Sequence, residues 1–181
     1  MQRFLPVLLC ALLSAPLPVN AAHRQHGAHV HGVATLTVAL EDHQLDVEFE
    51  SPAINLLGFE HAPRDEQQRR AVRQAAQRLR EPSALFAFTE AAHCVSVGTK
   101  VNSALLETPE DKQDGDDGEH HHADFNAVYG FRCEQPQALR SVAVHLFKQF
   151  GGIRKINAQW LTATAQNASV LTPGEYRITL Q

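Results

Sequence analysis

Apolar and polar positions alternate from Val33 onward: Ala34, Leu36, Val38 and Leu40 fall on one side of an extended chain, Val33, Thr35, Thr37 and Ala39 on the other. Such period-two alternation predicts a strand. Glu41-Asp42-His43-Gln44 interrupts it as a polar turn, after which Leu45, Val47 and Phe49 alternate with Asp46, Glu48 and Glu50. Together the two runs predict a β-hairpin with one wet face. Pro52, Gly58 and Pro63 mark an irregular stretch from Ser51 to Pro63, and then the period changes. Val72, Ala75, Ala76 and Leu79 follow helical i, i+3, i+4, i+7 spacing, with Asp65 as N-cap, Gln68 three residues on and Pro82 as the stop. Arg69, Arg70, Arg73, Arg78 and Arg80 occupy its other side and read as a solvated face. Short strand-like runs return at Leu85 to Phe88, His93 to Val101, Phe125 to Cys133, Leu139 to Phe147, Ile153 to Thr164 and Tyr176 to Leu180. Gly and Pro punctuate them, so the expected fold is α+β and mainly β: an antiparallel sheet or sandwich with one main helix.

Two segments fall outside this pattern. Residues 1–21 carry Arg3, an apolar run from Phe4 to Leu17 and then the small-residue end Val19-Asn20-Ala21, the features of a secretory signal peptide cut after Ala21. The run is too short for a mature membrane span, and Pro6, Pro16 and Pro18 interrupt it. Cys10 would leave with this leader. The second segment, residues 107–122, reads TPEDKQDGDDGEHHH after Glu107 and has almost no apolar side chain, so the expectation is a disordered His- and acid-rich loop. Residues 22–181 are then expected to form a single domain.

The net charge of -4, with no basic stripe interleaved with aromatics, speaks against nucleic acid and for attraction of cations. Removing the leader leaves Cys94 and Cys133. In an oxidising compartment a disulfide between them is the default, ahead of two thiolate metal ligands, because neither belongs to a close Cys pair.

The histidines change the picture most. All eleven lie beyond residue 21, and seven fall in two clusters, His23, His26, His29 and His31 ahead of the first strand and His120, His121 and His122 at the end of the acidic insert. Zinc takes neutral imidazole or carboxylate ligands at about 2.0–2.2 Å in a tetrahedral shell. In extended chain His29 and His31 project from one face and can grip one ion. Glu60 and His61, between Gly58 and Pro63, are further oxygen and nitrogen candidates close behind the hairpin, and Asp114, Asp116, Asp117, Glu119 and Asp124 flank the triple His. His43, His93 and His145 read as structural. DGDDG lacks the ligand ladder of a calcium loop, so calcium is not the expected cation.

His29-Val30-His31-Gly32, Ser51-Pro52-Ala53, Gly58-Phe59-Glu60-His61-Ala62-Pro63, His122-Ala123-Asp124-Phe125, Tyr129 and Phe131 ahead of Cys133, and Leu146-Phe147 resemble the ZrgA family of bacterial periplasmic zinc-uptake proteins. The resemblance covers essentially the whole chain after the leader. It implies zinc binding, expression linked to zinc shortage and assistance to an ABC-type zinc transporter. The insert carries three consecutive histidines and more acid than the long His tracts of that family. The expectation is therefore a Zn2+-binding periplasmic protein, not an enzyme, with His29, His31, His61 and Glu60 on the folded body, His120, His121 and His122 on an arm, and His26 and His23 beyond. Copper or nickel handling is the alternative, because cleavage after Ala21 puts His23 second from a free amine, which suits copper(II). A zinc hydrolase is a weaker one, since no HExxH occurs and Glu60 is the one candidate base.

Overall fold

The computed structural model describes residues 30–107 and 123–180. The expected leader, His23, His26 and His29, and His120, His121 and His122 with most of the acidic insert lie outside the described residues. The hairpin forms as expected from β1 (Val33–Glu41) and β2 (Gln44–Pro52), antiparallel with Val38 opposite Val47. Leu36, Val38, Leu45, Val47 and Phe49 are buried, while Gln44 and Glu48 on the other face stay exposed. Asp42 turns the chain at φ 50°, a left-handed conformation that Asp tolerates better than most residues.

Helix α1 (Ala53–Leu57) follows at once, and α2 (Glu66–Leu79) after it. In α2 Val72, Ala75, Ala76 and Leu79 are the buried stripe. The Asp65 carboxylate accepts from the Gln68 N–H at 2.8 Å, and the Gln68 side chain accepts in turn from the Arg64 N–H at 2.7 Å. The first bond satisfies an amide that the opening helical turn leaves without a partner, and the second ties down the residue ahead of the cap. On the exposed side Arg69 Nε and Arg73 Nη2 donate to Glu66 at 2.8 and 2.7 Å, and Arg78 reaches the Gln149 carbonyl. Those hydrogen bonds pull the Glu66 carboxyl down to about 2. A carboxylate with a depressed folded pKa adds stability above its unfolded pKa, which is lost as pH falls through the folded one. For Glu66 that window runs from about 4.3 down to about 2. Carbon-13 NMR titration should show its midpoint near 2, moving back toward the ordinary value in Arg73→Ala.

Past α3 (Pro82–Leu85) come β3 (Phe86–Phe88), β4 (Cys94–Asn102), β5 (Asp124–Cys133), β6 (Ser141–Val144), α4 (Leu146–Gln149), β7 (Lys155–Leu161), β8 (Gln166–Leu171) and β9 (Arg177–Thr179). The larger sheet has the order β4-β5-β2-β1-β7-β8 and the smaller one β3-β6-β9. Edge-to-face aromatic pairs join them: Phe86 with Tyr129 at 5.1 Å and Phe88 with Phe131 at 4.7 Å between centroids. The fold is thus mainly β with few helices, as its alternating runs imply.

Four details depart from the sequence reading. The larger sheet is mixed, because β7 enters beside β1 from the same end and runs parallel to it, Val38 facing Trp160. Residues 53–57 are helical inside the stretch read as irregular. The run from Leu139 to Phe147 stops as a strand at Val144, since Leu146 and Phe150 bury themselves at helical i, i+4 spacing. The run to Thr164 ends at Leu161, and β8, exposed over most of its length, returns as an edge strand beside it.

Candidate metal centre

The starts of β1, β5 and β7 and the end of β2 lie at one end of the larger sheet. His31 stands there, one residue before Gly32, whose φ of 81° bends the chain into β1. The Gly32 carbonyl accepts from both Arg154 and Lys155 N–H, at 2.8 and 2.9 Å, which fastens this bend to the start of β7. Its own N–H donates to Asn55 Oδ1 at 2.6 Å. Asn55, in α1 and 3% exposed, also donates to the Val33 carbonyl at 2.9 Å and to Ser51 Oγ at 3.1 Å. Helix α1 ends at Gly58, and the chain leaves it through Phe59, Glu60 and His61.

This route returns Glu60 to His31. His31 Nε2 and Glu60 Oε2 are 3.6 Å apart, with side chains 63% and 23% exposed. Two donors on one tetrahedral zinc, each at about 2.0–2.2 Å, are separated by about 3.3–3.6 Å. The pair therefore stands at the spacing of a chelate edge, with the Glu60 oxygen shielded from solvent and the imidazole reachable. His61 takes another position: its Nδ1 lies 2.9 Å from the Ala62 carbonyl, and its ring stacks on Phe59 at 5.1 Å. An imidazole donating from Nδ1 keeps its lone pair on Nε2, the arrangement that fixes the tautomer of a metal-binding histidine. Among the described residues no three His, Cys, Asp or Glu side chains converge on one point.

The described chain resumes after the acidic insert at the same end. Ala123, which follows His122, is buried, and its carbonyl accepts from the Ala53 N–H at 2.8 Å; Asp124 pairs with Pro52 in the β2·β5 ladder. His29 precedes Val30 and His31, so both His-bearing segments leave the described body from one region.

The other histidines serve the fold. His43 Nδ1 donates to the Cys133 carbonyl at 2.7 Å, and His93 turns the chain at φ 48° ahead of Cys94. Burial, then the nearby Lys148 and Arg177, hold His145 below the ordinary imidazole range. Cys94 and Cys133 are joined as a disulfide across β4 and β5. Sequence reasoning passed over Asn55, whose signal is a lone amide inside the apolar run Ala53-Ile54-Asn55-Leu56-Leu57.

Fold and site together define a mainly β, two-sheet protein with an imidazole–carboxylate pair at one end of its larger sheet. The chain belongs to the ZrgA family of zinc uptake proteins, whose profile matches residues 28–180. This agrees with the resemblance carried by the His29–Gly32 and Gly58–Pro63 motifs. No curated protein matches the chain.

Proposed function

We propose that this chain is a periplasmic zinc-binding protein that captures Zn2+ and supplies it to an ABC-type zinc transporter, acting as a carrier and not as an enzyme. The observation that carries the reading is the 3.6 Å spacing of His31 and Glu60, a chelate edge ready for a tetrahedral cation. Two donors leave the shell half filled. His29, two residues before His31, and His61 through Nε2 are the proposed partners, with His120, His121 and His122, which precede Ala123 in sequence, as a second source. His23 and His26 lie further along the same lead and add capacity. Delivery to the periplasm would follow from the leader ending at Ala21, and no helix among the described residues is long and apolar enough to cross a membrane.

An imidazole shell binds zinc when neutral and loses it to protons below about pH 6.5. Isothermal titration of the mature chain should therefore show zinc binding at about pH 7.2 that weakens by more than tenfold at about pH 5.5. Binding indifferent to pH would remove the histidine account. Deleting residues 108–122 should lower the number of ions bound while leaving the tightest one. If stoichiometry and affinity both stay put, the triple His is not a ligand source. Copper taken up in preference to zinc by the untagged chain would turn the reading toward copper handling.

A further inference from the structure

We infer that Asn55 is the positioning residue of the metal site, holding His31 at chelating distance from Glu60; this rests on the zinc reading above. Helix α1 is only five residues long, too short to hold itself in place. Its position must come from tertiary bonds, and Asn55 supplies three of them at full burial: from the Gly32 N–H, to the Val33 carbonyl and to Ser51 Oγ. Two of the three grip the residues directly after His31.

Backbone also packs closely against α1 at this residue. A Cβ at Gly152 would collide with the Asn55 carbonyl, so the turn ahead of β7 lies directly against the helix. Asn55 thus sits between β1, β2 and the approach to β7, with Gly32 fastened to both α1 and β7. Glu60 follows five residues later, two beyond the Gly58 cap. The path from Gly32 through the Asn55 amide and the end of α1 is therefore a short closed bracket with His31 on one arm and Glu60 on the other. Loosening the amide lets α1 shift against β1 and spoils the 3.6 Å spacing without removing either ligand.

The test is a double-substitution cycle on the full mature chain, with zinc affinity read by competition against a chromophoric chelator and geometry by the visible absorption of the Co2+ form. Asn55→Ala should weaken the tightest site about tenfold, the effect of losing a partner that orients a ligand. It should also change the cobalt spectrum and add little once His31→Ala is present, because both act through one donor. Asn55→Asp keeps the acceptor for Gly32 but not the donors, and gives the same reading in a chain of near-native packing should the alanine variant fold poorly. Val144→Ala, a core cut in the smaller sheet, should lower stability yet leave affinity and spectrum alone. An unchanged affinity for both Asn55 variants, or losses that simply add to that of His31→Ala, overturns the assignment while the site stands. His31→Ala without effect overturns site and assignment together.

Discussion

Replacing His31 by alanine should weaken the tightest zinc site by about a hundredfold. Binding of zinc to a four-ligand protein shell is worth about 10–16 kcal/mol, so one ligand accounts for about 3 kcal/mol, or two decades in affinity. Glu60→Gln should cost nearly as much, since it removes the charge while keeping the side chain's size, and the Glu60 oxygen that faces His31 is shielded from solvent. The double variant should fall well short of the sum: once either donor has gone, the chelate edge is broken and the other contributes less to holding the ion. His61→Ala should weaken binding as well, its Nδ1 being tied to the Ala62 carbonyl. Competition titration of each variant measures this. If His31→Ala and Glu60→Gln both stay within about threefold of the parent, zinc is held elsewhere.

The second large effect concerns the disulfide. Cys94 and Cys133 face each other directly on β4 and β5 and are 39 residues apart in sequence. By loop-closure entropy alone such a bond stabilises the folded chain by about 4 kcal/mol. Strand β4 depends on it more than most. It is an outer strand of the larger sheet, and of its nine residues only Val101 is buried, so little apolar packing holds it to β5. Cys94→Ser with Cys133→Ser should lower the melting temperature by about 10 °C in calorimetry, and reductant should do the same to the parent. A transition indifferent to both would mean that the β4·β5 ladder needs no covalent support. The region expected to lose protection first is β4, which runs directly into the segment from Ser103 to Glu107 ahead of the acidic insert.

Helix α2 and the β1–β2 hairpin are legible in the sequence because their signals are local. A cap, a stop and a 3.6-residue stripe lie within one stretch for the helix, and two alternating runs flank a polar turn for the hairpin. The closeness of Glu60 to His31 is partly legible for the same reason, since few residues separate the motif from the end of the hairpin. What stays hidden is non-local or short. The parallel pairing of β1 with β7 depends on which end of the sheet a distant strand enters, and nothing in Lys155–Leu161 encodes that. Five helical residues between Pro52 and Gly58 resemble a loop until the fold closes over them. Asn55 is hidden for a further reason: its three partners are backbone groups and a serine, which carry no distinctive side-chain pattern.

The position of β1 between β2 and β7 has a consequence in time. Thr37 and Gln159 touch across that boundary although 122 residues separate them. At synthesis rates of about 5–20 residues per second, roughly 6–25 seconds pass between the appearance of the first strand and that of its parallel neighbour. Throughout this interval the β1 edge keeps its amides and carbonyls unpaired, and until β5 is made so does the outer edge of β2, both open to a holding chaperone and equally to a stray strand. Such long-range closure also makes for slow folding, in milliseconds to seconds once the chain is complete. The partners of the Gly32 carbonyl, Arg154 and Lys155, arrive late in that sequence, so the His31 end of the sheet is among the last parts of the molecule to take shape.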